Sequence, residues 1–187
     1  MWKLGRTIRV GLVIAGALAL SAAPVLATHT TTVARGSLSG LEDAIPTSCG
    51  TGCQQAYFAG YFSANPSRYS GPWSATVDHL GLPDEDSDSD DVASTQVVGG
   101  TFVLYTGSGV LSGTGMSGSI NYGKPGSSIF GCTQTYTVRA SIQFSGSGAV
   151  RTGSATAYLT HYGTGEADGS CTGVYFATLT GQLTLSR

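Results

Sequence analysis

Strict alternation of apolar and polar side chains marks two segments in the second half of the chain as half-buried β-strands. In residues 135–144 the apolar side chains on one face are Tyr136, Val138, Ala140, Ile142 and Phe144. In residues 173–186 they are Tyr175, Ala177, Leu179, Leu183 and Leu185, with Gly181 among them as an expected β-bulge. Each segment predicts a strand with one face turned to a core and the other to water.

Shorter runs of the same kind predict four further strands, at residues 54–62, 73–80, 99–106 and 154–162. Residues 28–52 have little periodicity, and the only regular structure predicted there is a turn of helix in residues 38–46, ended by Pro46. No stretch after residue 27 has a convincing helical period. The pattern therefore predicts an all-β protein, an antiparallel β-barrel or β-sandwich of six to eight strands with Gly-rich hairpins.

The segment GTGMSG, residues 113–118, has the G-x-G-x-x-G spacing of a dinucleotide-binding turn. Such a turn leaves a strand and opens a helix, and an acidic residue follows about 20 positions later. Here Gly123, Pro125 and Gly126 prevent a helix, and no acidic residue follows until Glu166. We therefore interpret these glycines as turn and strand residues of a β-protein.

A second glycine pattern occurs twice, in residues 106–120 and 144–159, as Gly-Ser-Gly followed by an apolar residue and then by small residues. Gly-Ser-Gly can reverse the chain at positive φ, and small residues permit strongly coiled strands. Over residues 97–123 and the final strand, the pattern resembles the Gly-rich hairpins of exported bacterial β-barrels, including those of allene-oxide-cyclase or dirigent-like shape. The resemblance implies a barrel and carries no family site residue onto this chain.

Residues 1–27 have the three parts of a secretory signal peptide. A basic start is followed by an apolar run at residues 10–20 and by small residues that end at Ala27. An uncleaved membrane anchor is the alternative, but a spanning helix usually needs about 20 apolar residues. We expect cleavage after Ala27, a mature chain that begins at Thr28, and a single secreted, extracellular β domain at residues 28–187.

The charge of the chain limits its partners. After residue 27 there are six basic and eleven acidic side chains, a net charge of −5. Nucleic acids and anionic membrane surfaces both require clustered positive charge. We therefore expect no nucleic-acid partner and, after signal cleavage, no membrane partner.

The acidic side chains concentrate in a predicted loop at residues 83–95, which contains DEDSDSDD. Its spaced aspartates, which could bind Ca²⁺ weakly, are Asp84, Asp86, Asp88 and Asp90. An EF-hand frame starting at Asp86 fails, because Asp91 stands at the glycine position and Val97 at the glutamate position. A solvated, self-repelling loop is the preferred interpretation, and no other cofactor is predicted.

Four cysteines follow the signal segment: Cys49, Cys53, Cys132 and Cys171. An even number in an exported chain predicts two disulfides, for which three connectivities are possible. A zinc site needs reduced thiols and usually C-x-x-C pairs, whereas the close pair here is C-x-x-x-C. We favour Cys49–Cys53 with Cys132–Cys171, because CGTGC can close a tight loop and the other two cysteines each precede a strand.

Aromatic residues concentrate in residues 56–73. The candidate ligand-binding side chains there are Tyr57, Tyr61, Tyr69 and Trp73, which could stack on a sugar or line an apolar pocket. The alternative is that these rings form part of the core. The segment predicts a binding or structural role, with a small molecule, a glycan or a surface protein as the partner.

His161, Glu166 and Asp168 are close in sequence, but the two carboxylates lie on a Gly-rich loop that would hold them poorly for acid–base chemistry. Asp78 and His79 are neighbours without a visible third partner. The chain has no established catalytic motif. We predict no catalytic residue, and the alternative function is a small enzyme of allene-oxide-cyclase or dirigent-like shape that acts at the barrel mouth.

Overall fold

A computed structural model describes residues 31–80, 94–123, 125–129, 131–145, 148–165 and 171–187. Within these ranges the strands are β1 (Thr32–Gly50), β2 (Cys53–Asn65), β3 (Gly71–Leu80), β4 (Ser94–Thr106), β5 (Gly109–Tyr122), β6 (Gly126–Ser128), β7 (Gly131–Ser145), β8 (Thr152–Gly165) and β9 (Cys171–Ser186). A short 3-10 helix at Ser67–Tyr69 joins β2 to β3. The described residues include no helix long and apolar enough to span a membrane.

Eight of these strands close into one antiparallel barrel. The order around it is β1, β2, β3, β4, β5, β7, β8 and β9, and β9 pairs with β1 to complete the ring. The three-residue strand β6 pairs with the beginning of β7, on the same edge that β5 uses further along. The predicted all-β class is therefore confirmed, and of the two predicted architectures the barrel is the correct one.

The two clearest alternating segments face the barrel interior as predicted. On β7 the side chains of Tyr136, Ala140, Ile142 and Phe144 are buried, and on β9 those of Ala177, Leu179, Leu183 and Leu185 are buried. The predicted bulge at Gly181 is wrong. Gly181 pairs in register with Leu38 and Ala157, and a Cβ there would lie 2.7 Å from the Ala157 Cα. The position requires glycine because neighbouring backbones approach closely.

The predicted turn of helix in residues 38–46 is also wrong, because this segment belongs to β1. Ala34 and Leu38 point into the core. Gly36 lies between them in the sequence and Gly40 follows Leu38, both with the same parity. A Cβ at Gly40 would lie 2.7 Å from the Ala59 carbonyl oxygen. The alternation of β1 is thus regular, but glycines replace every second inward side chain and conceal it.

The segment GTGMSG lies inside β5 and does not open a helix. The pairing of β5 with β7 shifts register between Thr114 and Ser117, and Gly115 in that interval has a φ of 67°. A shift of this kind is a β-bulge, which bends a strand and increases its twist. Positive φ at the bulge explains why glycine stands there.

The up-and-down order gives the barrel two different ends. At one end, which we call the closed end, residues 107–108 join β4 to β5 and the Arg187 N–H donates a hydrogen bond to the Thr31 carbonyl. The completely buried side chains towards this end are Phe62, Leu104, Leu183 and Leu185. The opposite end, which we call the mouth, carries the β1–β2 hairpin, the end of β3 and the start of β9. Of the predicted acidic loop at residues 83–95, Ser94 and Thr95 belong to β4, and residues 81–93 lie outside the described ranges.

Candidate functional site

The barrel encloses a cavity of about 90 Å³ that extends towards the mouth. All eight barrel strands contribute to its wall, which is almost entirely apolar. Its larger side chains include Leu38, Phe58, Trp73, Phe102, Met116, Ile120, Tyr136, Ile142, Leu159 and Leu179. Polar lining is limited to a few groups, among them Glu42, His79 and His161. An apolar pocket with few polar groups is the usual form of a small-molecule site.

The cavity exists because five of the inward-facing positions in its wall carry alanine. These are Ala56, Ala75, Ala140, Ala155 and Ala157. Ala140 pairs with Gly118 on β5 and with Ala155 on β8, so that three small residues adjoin on the wall. A larger side chain at any of these positions would project into the space.

Glu42 and His161 form an ion pair or charge-assisted hydrogen bond in the mouth-side part of the wall. His161 Nε2 lies 2.6 Å from Glu42 Oε2, and the two side chains keep 20% and 11% of their surface exposed. A carboxylate in an apolar wall is unfavourable without such a partner. The pair therefore gives the cavity one fixed polar feature at its solvent-facing end.

Aromatic rings support this pair from one side. The Tyr136 ring lies 4.7 Å from the His161 ring, centroid to centroid, in a tilted arrangement. Tyr122 meets Tyr136 edge to face at 5.0 Å. The imidazole is thus held between a carboxylate and an aromatic ring, which restricts its orientation.

His79 lies in the same wall on β3 and is 8% exposed. Its Nδ1 is 2.9 Å from the Leu80 carbonyl oxygen, which also accepts a 3.0 Å hydrogen bond from Thr95 Oγ1. Because a carbonyl only accepts, Nδ1 carries the proton and Nε2 is left to other partners. The neighbouring Asp78 faces the outside, where it accepts a 2.7 Å hydrogen bond from Gln55 Nε2.

Trp73 stands deeper in the cavity and is 4% exposed. Its indole stacks on Phe102, with centroids 5.7 Å apart and planes at 15°. A Cβ placed on Gly40 would lie 2.9 Å from Trp73 Cζ2, so the indole also packs against the bare backbone of β1. The indole Nε1 is buried and has no hydrogen-bond partner among the described residues.

The four aromatic side chains predicted to bind a ligand do not share one surface. Tyr57 and Tyr61 point outwards from β2 and are 49% and 51% exposed. Tyr69 is buried in the 3-10 helix near the closed end, with the Arg68 guanidinium 5.1 Å from its ring centre. Only Trp73 reaches the cavity, because strand alternation separates it from the outward tyrosines.

The Cys49–Cys53 disulfide is confirmed and joins the β1–β2 hairpin at the mouth. Cys132 is also disulfide-bonded, and no described cysteine is free. The side chain of Cys171 lies outside the described ones, so the Cys132–Cys171 pairing stays a prediction. The predicted calcium residues Asp84, Asp86, Asp88 and Asp90 also lie outside them, as do Glu166 and Asp168.

Sequence reasoning did not identify Glu42, the partner of His161. Glu166 and Asp168 are the acidic residues that follow His161 closely in the chain, whereas Glu42 is 119 residues away. One signal was available. In β1 the residues Leu38, Gly40 and Glu42 share a parity, and a carboxylate on the inward face of a strand is unusual enough to mark a site.

Comparison of the chain with protein-family models, with curated proteins and with solved structures finds no match.

Proposed function

We propose that this protein binds a small, largely apolar molecule in the barrel cavity, as a secreted and disulfide-stapled domain. The observation that carries the proposal is the set of alanines on the cavity wall, defined above. An unfilled apolar cavity lowers stability by roughly 24 cal/mol per Å³, or about 2 kcal/mol for this one. A barrel with a purely structural role gains stability when such positions carry valine or leucine.

The polar groups support the same proposal. Apolar walls supply most of the binding free energy, and a few fixed polar atoms orient the ligand. Here Glu42 and His161 form one such polar pair at the solvent-facing end of the cavity. At about 90 Å³ the cavity is smaller than the engineered apolar cavities of about 150 Å³ that take up benzene, so it suits at most a single small ring or a short branched chain.

The secreted location rests on the N-terminal segment and is supported by the Cys49–Cys53 disulfide, because such bonds persist mainly in oxidising compartments. A disulfide at the mouth would also hold the β1–β2 hairpin in place beside the cavity.

The experiment is a titration of the protein with benzene, followed by the fluorescence of Trp73, the only tryptophan after residue 27. The filling variant is Ala140→Leu, and the matched control is Ala59→Leu, which adds the same side chain on the outer face of β2. Saturable binding by the wild type and the control, with loss in Ala140→Leu, supports the proposal. No binding by the wild type, or equal binding by Ala140→Leu, refutes it.

A second control distinguishes binding in the cavity from binding of a glycan or protein on the outer surface of the barrel. Tyr57→Ser with Tyr61→Ser removes exposed rings from β2 and leaves the cavity intact. Benzene binding is expected to be unchanged in this double variant. Loss of retention on a glycan or a cell surface by the same variant, with benzene binding intact, would add a second, external site.

The Glu42–His161 pair favours a second candidate, an enzyme that moves protons on a carbonyl compound. A hydrogen-bonded carboxylate and imidazole in an apolar pocket are suited to general acid–base catalysis. The test is exchange of the α-protons of cyclopentanone in D₂O, followed by NMR. Exchange accelerated by the wild type and abolished by Glu42→Gln would establish this function, and equal rates in both would exclude it for this substrate class.

A further inference from the structure

The carboxylate of Glu42 uses only one of its two oxygens within the described part of the protein. Oε2 contacts His161 Nε2, whereas Oε1 has no hydrogen-bond partner among the described residues. Oε1 also keeps accessible surface, since it is not one of the completely buried polar atoms without a partner. Glu42 lines the cavity with the inward parity of Leu38, so this surface faces the interior of the barrel. A carboxylate oxygen in the wall is therefore free to accept a hydrogen bond.

A second polar group of the wall also presents an acceptor. The imidazole of His79 lines the same cavity, and its Nδ1–H donates to the Leu80 carbonyl. In the neutral ring Nε2 then carries no proton, and no described residue donates a hydrogen bond to it. A ligand that pairs with Glu42 or with His79 therefore has to bring a donor. Ketones, ethers and esters have none.

The charges of the described residues favour a positively charged donor over a neutral one. The acidic side chains among them are all on the mouth side of the barrel, at Glu42, Asp43 and Asp78. The described arginines are elsewhere: one lies on the outer face of β7 and four towards the closed end, in the order Arg139, Arg35, Arg68, Arg151 and Arg187. A negative potential at the mouth concentrates cations, and a carboxylate in an apolar wall is stabilised by a positive partner.

Apolar surface adjoins this carboxylate directly. Glu42 on β1 pairs with Phe58 on β2, and Phe58 pairs with Ala75 on β3. Phe58 and Ala75 both line the cavity. A molecule whose donor meets Glu42 can therefore place a hydrocarbon group against the wall without leaving the carboxylate.

We infer that the ligand of this cavity is a small apolar amine, whose ammonium group donates a hydrogen bond to Glu42 Oε1. This inference rests on the proposed binding function and specifies its ligand class. The ammonium group lies at the solvent-facing end, where its other N–H bonds can reach water, and the hydrocarbon part occupies the space beside the alanines. Glu42 thus determines both the charge and the orientation of the ligand.

The test compares isobutylammonium with isobutanol at neutral pH. Both probes carry the same hydrocarbon group and donate hydrogen bonds, but only the first is charged. Binding is followed by NMR through the methyl resonance of Ala75, and we expect the wild type to bind the cation more tightly. In Glu42→Gln the affinity for the cation should fall about 10- to 100-fold, the range for a hydrogen bond between charged groups. The affinity for isobutanol should change less than about threefold.

Asp43→Asn is the matched control, because it removes the same charge from the neighbouring residue, whose side chain is exposed. Its effect on the cation should stay below about threefold, since water screens an exposed charge. An equal loss in Asp43→Asn and Glu42→Gln would mean that the general field of the mouth acts and would overturn the contact with Glu42.

The remaining outcomes separate the two proposals. If the wild type binds both probes equally, or if Glu42→Gln weakens both to the same extent, the ligand class is wrong and the binding function stands. If neither these probes nor benzene binds, the binding function fails and this inference fails with it. The comparison of the two probes in the wild type decides the question even if Glu42→Gln does not fold.

Discussion

Glu42 and His161 meet over Ala177. Glu42 on β1 and His161 on β8 are both paired in register with Ala177 on β9, which lies between them, and the two side chains span that strand to form their 2.6 Å contact. Ala177 is 1% exposed and has only a methyl group, so nothing separates the carboxylate from the imidazole. The contact between Glu42 and His161 therefore depends on a small residue that is distant in sequence from both of them.

The strength of this contact can be measured by a double-mutant cycle of Glu42→Ala and His161→Ala. We expect a coupling free energy of about 1–3 kcal/mol, because the pair is largely buried and a charged group takes part. The measurement is urea unfolding of the four proteins. The matched control is the outer pair Gln55–Asp78, whose coupling should be smaller because water competes for both groups. Additivity within about 0.3 kcal/mol for Glu42 and His161 would contradict the prediction.

Filling the cavity is expected to increase stability. Ala140→Leu adds three carbon atoms at about 0.8 kcal/mol per buried CH₂, and ordering the leucine offsets about 0.5–1 kcal/mol. The net expectation is a gain of about 1.5 kcal/mol in the free energy of unfolding, measured by urea denaturation. Ala59→Leu on the outer face should change stability by less than about 0.5 kcal/mol. A loss of stability in Ala140→Leu would mean that the wall at this position has no free space.

Gly40→Ala tests the packing of the indole. The added methyl group would lie 2.7 Å from the Ala59 carbonyl oxygen and 2.9 Å from Trp73 Cζ2, so backbone or indole has to move. We expect destabilisation by about 1–3 kcal/mol and an altered near-ultraviolet circular dichroism of Trp73. Gly148→Ala is the control, since a methyl group there meets nothing within 4 Å. Equal behaviour of the two variants would show that β1 does not press on Trp73.

The two disulfides should differ in their contribution to stability. The Cys49–Cys53 bridge joins residues with a sequence separation of 4. For so short a loop the chain-entropy relation gives a stabilisation of about 2 kcal/mol. The predicted Cys132–Cys171 bridge would close a much longer loop and contribute about 3–4 kcal/mol. Paired Cys→Ser variants compared by urea unfolding measure both. Non-reducing peptide mapping that links Cys53 to Cys132 or Cys171 would overturn the pairing.

The position of signal cleavage is a prediction of its own. We expect the mature N-terminus at Thr28, because small residues at Val25 and Ala27 fit the recognition site of a signal peptidase. Edman sequencing of the protein from culture supernatant is the measurement. A supernatant chain that still begins at Met1 would contradict cleavage after Ala27, and recovery of such a chain only from the membrane fraction would favour the membrane anchor.

The sequence predicts the fold class because apolar side chains alternate along β7 and β9, with Gly181 as the one inward position without a side chain. It does not distinguish barrel from sandwich, since closure depends on the pairing of β1 with β9, and the sequence of β1 does not show the alternation of a strand. The glycines of β1 are the physical reason why its alternation is hidden in the sequence. Gly36 and Gly40 have no side chain to reveal which face is inward, although close backbone approach requires them.

The candidate site was less predictable than the fold. The aromatic pattern predicts Trp73, Tyr57 and Tyr61 together as ligand-binding residues, but in the structure Trp73 is buried in the cavity wall and the two tyrosines face outwards. His161 was noticed, and its partner Glu42 was not, because a contact across the closing seam cannot be inferred from proximity in sequence. The cavity itself depends on alanines, which sequence patterns treat as ordinary core residues.

The up-and-down order of strands has a consequence for the timing of assembly. Each described pairing in the ring joins strands that are neighbours along the chain, apart from the β5–β7 pair, which spans only short β6, and the β9–β1 pair, which joins the two ends. Hairpins can therefore form one after another as the chain emerges, whereas the last seam waits for β9. Glu42 and His161 lie on either side of β9, so their contact cannot form before β9 has joined the ring. The wall of the cavity, and with it the proposed binding site, is therefore complete only after the final folding step.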